Sequence, residues 1–249
     1  MKKSIIINNL LIQYHLFPSK GAKTAILLHG WRSEGSVWNA VAQRLNKDHY
    51  SVYALDLPGF GGSPAPKTPF TLSDYADVVL KFIEKMKLKN GILVGHSFGG
   101  RVAIQLTATK PTLVSKLILV DSAGFADTKK QGLKTLAKFM KPVFTPSYMQ
   151  GIRKWIYEKL GAEDYLATPA LQQTFVNVIE EDLSSNLSRI QIPTLLVWGE
   201  HDQDTPVSYG EKMHTAIHGS QLVILPDAGH FSFLDKPEEF YQTLIQFIK

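Results

Sequence analysis

Between Ala25 and Val120 the sequence alternates short apolar runs with stretches of helical period, and this order dictates a layered α/β architecture. Ala25–Leu28, Ser51–Leu55, Ile92–Val94 and Leu117–Val120 are short, nearly continuous apolar runs of the kind buried on both faces of a parallel sheet. Val37–Leu45, Leu72–Met86 and Phe98–Thr109 carry their apolar residues at helical spacing. The expected fold class is therefore α/β, with a mostly parallel central sheet and helices on both faces. Ahead of this series, Ser4–Ile7 and Leu10–His15 flank Asn8-Asn9, a pair that tolerates positive φ and predicts an antiparallel hairpin.

The alternation stops at Asp121 and resumes at Pro193. Thr194–Trp198 then reads as a strand, Val207–Ile217 as a helix, Leu222–Leu225 as a strand and Pro237–Ile248 as a closing helix. The expected organisation is a core domain of residues 1–121 and 193–249, with 122–192 inserted as a helical cap. Within the insertion, "DTKKQGLKTLAKFMK" spaces Leu133, Leu136, Phe139 and Met140 helically among lysines, a stripe expected to pack on its own protein.

Composition removes several classes of chemistry. With no cysteine, disulfides, thiolate metal sites and a thiol nucleophile are all excluded. A net charge of +5, from 27 basic and 22 acidic residues, comes without any nucleic-acid motif and reads as solvated lysine, so no nucleic-acid partner is expected. No apolar run approaches the roughly 18 residues that cross a bilayer, so a cytoplasmic protein without stable membrane association is expected.

The connection from Ile92–Val94 into Phe98–Thr109 is Gly95-His96-Ser97-Phe98-Gly99-Gly100. A strand that reverses directly into a helix forces its central residue into a strained conformation, and the flanking glycines clear the space where two backbones nearly touch. Such a turn presents the Ser97 hydroxyl at the carboxyl edge of the sheet, beside helix amides such as that of Phe98 that can stabilise an oxyanion. A phosphate-binding loop occupies a similar place, but the spacing here gives neither G-x-G-x-x-G nor a G-K-[ST] ending.

A serine nucleophile needs a general base and a group to orient it. After Thr194–Trp198 comes "GEHDQDTP", and after Leu222–Leu225 comes "PDAGHF", so Asp202 and His230 fall in loops on the same sheet edge as Ser97. Asp204, in the same loop, and Asp121, just after Leu117–Val120, are further carboxylates at strand ends. His214 and His218 are spaced i, i+4 but have no evident third ligand, and read as a surface pair.

Several stretches, "LLHGW" at Leu27–Trp31, "DLPGFGGS" at Asp56–Ser63, "GHSFGG" at Gly95–Gly100, "LLVWGEHDQDTP" at Leu195–Pro206 and "AGH" at Ala228–His230, resemble the α/β-hydrolase fold family from about Ile5 to the C-terminus. The resemblance implies a Ser97, His230 and Asp202 triad, Asp202 being preferred over Asp204 by the pattern G-x-x-D-x-x-x-P. It implies an oxyanion hole from the backbone amides of Trp31 and Phe98, and loop-bracing roles for His29, His96 and Asp56. It also implies a cap inserted after Val120.

Serine at the elbow separates the chain from the haloalkane dehalogenase and epoxide hydrolase branches, which use aspartate there. The expected activity is that of a serine hydrolase, a carboxylesterase cleaving small to medium apolar acyl esters without metal or cofactor. Carbon–carbon bond hydrolases and cofactor-free perhydrolases are the alternative enzymes, although Phe231 stands where dienoic-acid hydrolases often carry tryptophan. A low-turnover signalling or receptor-type relative is the alternative class. Phe125, Phe144, Tyr148, Trp155 and Phe231 are the expected pocket aromatics, alongside Trp31 and Phe98.

Overall fold

The computed structural model describes residues 1–21, 23–126, 164 and 167–249. Strands β1 (Lys2–Ile7), β2 (Leu10–Phe17), β3 (Lys23–Leu28), β4 (Tyr50–Leu55), β5 (Ile92–His96), β6 (Lys116–Val120), β7 (Thr194–Gly199) and β8 (Gln221–Leu225) form one sheet in the order β1-β2-β4-β3-β5-β6-β7-β8. Asn8 and Asn9, with φ of 50° and 61°, close the β1–β2 hairpin. The hairpin joins the sheet by antiparallel pairing of β2 with β4, and every pairing from β4 to β8 is parallel. The fold is that of the α/β hydrolases.

Helices α1 (Asn39–Lys47), α2 (Leu72–Lys85), α3 (Phe98–Thr109), α4 (Gln172–Glu180), α5 (Ser184–Leu187), α6 (Val207–Ala216), α7 (Ser232–Asp235) and α8 (Pro237–Ile248) complete the described elements. Strand side chains alternate between two cores. On one face Leu28, Leu93, Leu119, Leu196 and Trp198 pack with Tyr75, Phe82 and Val102 of α2 and α3 and with Met213 of α6. On the other, Leu27, Val94, Ile118 and Val197 pack with Val41 and Leu45 of α1 and with Phe240 and Leu244 of α8. Burial on both sides explains why these strands read as apolar runs rather than alternating ones.

Local signals set most boundaries. Thr71 and Asp74 form a capping box at the start of α2, a device contributing about 1 kcal/mol. The helix expected over Val37–Leu45 instead begins as a 3-10 turn, Gly35–Trp38, and becomes α1 at Asn39. There the Gly35 amide donates to buried Asp56 at 2.7 Å, which tightens the chain before the helix starts. The short α7 carries no periodicity and had no counterpart in the sequence reading.

Within 122–192, the described residues form a 3-10 turn (Pro169–Leu171), α4 and α5, with no strand among them. Leu183, Leu187 and Ile190 are buried in the same core as Ile104 and Met213. The helix expected within "DTKKQGLKTLAKFMK" and the aromatics Phe144, Tyr148 and Trp155 lie outside the described residues. Among the described residues no helix is long and apolar enough to cross a membrane.

Candidate active site

β5 ends at His96 and α3 begins at Phe98, leaving Ser97 alone to make the reversal, with φ 50° and ψ −112°. A non-glycine residue there stores on the order of 1–3 kcal/mol, so the surroundings must enforce it. They do so through the main chain. The Ser97 amide donates to the Val120 carbonyl at 3.1 Å, and the Ser97 carbonyl accepts from the amides of Gly100, Arg101 and Ala123 at 3.0, 3.3 and 3.2 Å. A Cβ on Gly95 would lie 2.5 Å from the Gly99 carbonyl oxygen, and one on Gly99 would lie 2.5 Å from that of Leu28. The turn therefore exists only with both glycines.

Ser97 lies in a cleft of about 680 Å³, which Trp31, Phe98, Phe125, Phe175, His230 and Phe231 also line. Of the aromatics expected there, Phe125 and Phe231 are thus in place. Trp31 packs against Phe60, Phe98 and Phe175 with ring centroids 4.9–5.1 Å apart. Its neighbour Arg32, at φ 57°, pairs with Asp164 at 3.2 Å, and both of these side chains line the cleft.

His230, which lines this cleft, meets the buried Asp202, with Nδ1 2.9 Å from Oδ2. Asp202 Oδ1 accepts the amides of Asp204 and Thr205, both at 2.9 Å, while Oδ2 also accepts the Thr205 hydroxyl at 2.7 Å. Burial works to raise this carboxyl, but the hydrogen bonds and charge of His230, with those from Thr205, outweigh it and hold it below the usual carboxylate range. Burial likewise works to lower the His230 imidazole, and Asp202 more than offsets it, leaving the ring above its ordinary value. Because an ionised carboxylate only accepts, Nδ1 carries the proton and Nε2 is left as the basic nitrogen.

Asp204 is exposed at the cleft rim. Asp121, the other alternative acid, is fully buried and differently engaged. Its carboxylate accepts the Gly199 amide at 2.8 Å, and the Ser232 amide and hydroxyl at 3.1 and 2.6 Å. It thus ties the end of β7 to the chain just past His230. Burial, chiefly, raises its carboxyl to about 7.

Two further histidines brace the loops. His29 Nδ1 donates to the Gly30 carbonyl at 2.7 Å and Nε2 accepts the Leu57 amide at 3.0 Å, with burial lowering the ring to about 4. His96 Nε2 donates to the His230 carbonyl at 2.7 Å. Burial, and then the neighbouring His230, lower the His96 imidazole to about 3, so both braces are neutral. His214 is engaged with Ser220, at 2.9 Å. Two groups of potential metal-binding atoms occur among the described residues. Glu200, His201 and Asp227 are all exposed, and in the group of Asp202, Asp204 and His230 the Asp202 oxygens are already occupied.

The sequence does not single out Thr205, Arg101 or the pairing of Asp121 with Ser232. Thr205 had a local signal, since an aspartate whose side chain accepts the amides two and three residues on is a common turn device. Arg101 and the Asp121–Ser232 pair had none.

Residues 25–243 match the alpha/beta hydrolase family, and the chain belongs to it. It is 27% identical over 270 residues to the uncharacterized hydrolase YugF of Bacillus subtilis, covering 98% of this chain and 96% of that one. It is 27% identical over 254 residues to a pimeloyl-[acyl-carrier protein] methyl ester esterase of Nitrosomonas europaea, covering 91% and 96%. Among solved structures, an esterase from Exiguobacterium antarcticum superposes with a TM-score of 0.79 at 26% identity, covering 100% of this chain and 99% of that one.

Proposed function

We propose that the protein is a serine hydrolase acting on small to medium apolar acyl esters, with Ser97 as nucleophile, His230 as general base and Asp202 as its orienting acid. One observation carries the reading: His230, hydrogen-bonded to Asp202, lines the same cleft as Ser97 on its strained elbow. His230 Nε2 takes the Ser97 proton as Oγ attacks the ester carbonyl. The amides of Trp31 and Phe98 hold the oxyanion. The imidazolium then protonates the departing alcohol, and water repeats the attack to release the acid and restore Ser97.

The apolar wall of Trp31, Phe98, Phe125 and Phe175 supports an apolar acyl group, and the similarity to esterases supports ester hydrolysis. Residues 1–121 and 193–249 form the hydrolase domain in this reading, and 122–192 its cap. Phe125 and Phe175, both from 122–192, line the cleft and support that division. The test is fluorophosphonate labelling followed by intact mass. One adduct on the wild type and none on Ser97→Ala is expected. An adduct that persists in Ser97→Ala refutes the assignment.

A further inference from the structure

Residues 122–192 leave and rejoin the sheet-bearing unit through two stretches that lie side by side. The Leu183 amide donates to the Gly124 carbonyl at 2.9 Å, and the Ala126 amide to Asp182 Oδ2 at 3.2 Å. Arg101 reaches both stretches. One terminal nitrogen donates to the Phe125 carbonyl at 3.3 Å and the other to the Glu181 carbonyl, while Nε has no hydrogen-bond partner among the described residues. The side chain is 3% exposed and forms part of the cleft lining. Burial lowers its pKa to about 10, with Glu181 and Asp182 acting against that through space, so it stays charged at neutral pH.

A guanidinium buried against two neutral carbonyls is a poor device for stability, because desolvation opposes it. Its planar fork is, however, well suited to holding two pieces of chain at one separation, which a lysine ammonium does less well. Both pieces contribute to the cleft lining. Phe125 stands on the outgoing stretch, and α4, which ends immediately before Glu181, supplies Phe175, Val178 and Ile179. Arg101 also sits one turn after Ser97, its amide on the Ser97 carbonyl.

We propose that Arg101 is a specificity-determining positioning residue, whose guanidinium sets the separation of the Phe125 and α4 walls and so selects the acyl group that reaches Ser97. The inference rests on Ser97 being the nucleophile of an ester hydrolase. Its test is kcat and KM on p-nitrophenyl acetate, butyrate, hexanoate and octanoate for wild type, Arg101→Lys and Arg101→Met, with active sites counted by fluorophosphonate. In Arg101→Met the octanoate-to-acetate ratio of kcat/KM shifts at least tenfold, mainly through KM, and Arg101→Lys falls between that variant and wild type.

A uniform change along the series overturns the proposal, since lost stability alone gives that result. So does an Arg101→Lys profile that matches wild type. If Arg101→Met does not fold, Arg101→Lys decides alone, a threefold shift in the ratio supporting the proposal and an unchanged ratio ending it. A wild type that turns over no ester refutes the hydrolase reading and this proposal with it, whereas an active wild type with flat variant ratios refutes only the role of Arg101.

Discussion

Asp202 Oδ2 lies 2.9 Å from His230 Nδ1, and the same carboxylate accepts three further hydrogen bonds, all from Asp204 and Thr205. The acid is thereby fixed before it orients anything. In the proposed reaction His230 acts as a base only when neutral, so activity is expected to fall as pH drops through its pKa, which Asp202 holds above the ordinary imidazole value against the opposing effect of burial. Asp202→Asn is expected to lower kcat by on the order of 10³–10⁴-fold. The acid limb of its residual kcat/KM profile moves to lower pH, because burial is then opposed only by the weaker through-space effects of Asp204 and Asp121. A pH-rate profile of both proteins checks this.

The elbow glycines make a stability prediction independent of any substrate. A Cβ at position 95 meets the backbone of Gly99 and Gly100 at 2.5–2.8 Å, and backbone cannot yield as a side-chain tip does. Gly95→Ala is expected to cost more than about 2 kcal/mol, within the range for overpacked cores. Urea denaturation measures it.

Asp121 titrates with the opposite sign to Asp202. Its carboxyl is raised to about 7 when folded, mainly by burial, so the folded state takes up a proton that the unfolded chain releases at ordinary carboxyl pKa. The associated stability is present at low pH and is lost as pH rises towards about 7. Asp121→Asn removes this dependence. Its stability relative to wild type is expected to improve by a few kcal/mol between pH values below the carboxyl range and above 7, read from urea midpoints at each pH.

In the β1–β2 turn, Asn9 holds φ at 61°, a conformation that glycine adopts without cost from a Cβ. Asn9→Gly is expected to stabilise the protein slightly, seen as a raised thermal midpoint.

The parts of the molecule legible in the sequence are those whose cause is local. Strands β5, β6 and β7 are runs of residues buried on both faces and β8 is a short apolar run at the edge of the sheet; Ser97, Asp202 and His230 each follow an apolar run within a few residues, so the alternation of strands and helices is enough to put all three at one sheet edge. Pairings across the chain left no such trace. Asp121 and Ser232 are 111 residues apart and each looks like an ordinary turn residue. Arg101 occupies what reads as a polar position on an amphipathic helix, yet one of its partners is a carbonyl 80 residues away and the side chain is buried. The docking of the hairpin on β4 was equally hidden, since the two asparagines specify a turn but not where the hairpin attaches.

His96 precedes Ser97 in the chain and holds the His230 carbonyl at 2.7 Å. The hydroxyl and the imidazole are therefore mounted on one mechanical unit, although 133 residues separate them in sequence, one fewer than the 134 between His96 and His230. A displacement of β5 carries both groups together. A fluctuation of the loop after β8 then turns about an anchored peptide, so it reorients the His230 ring more than it moves the His230 main chain.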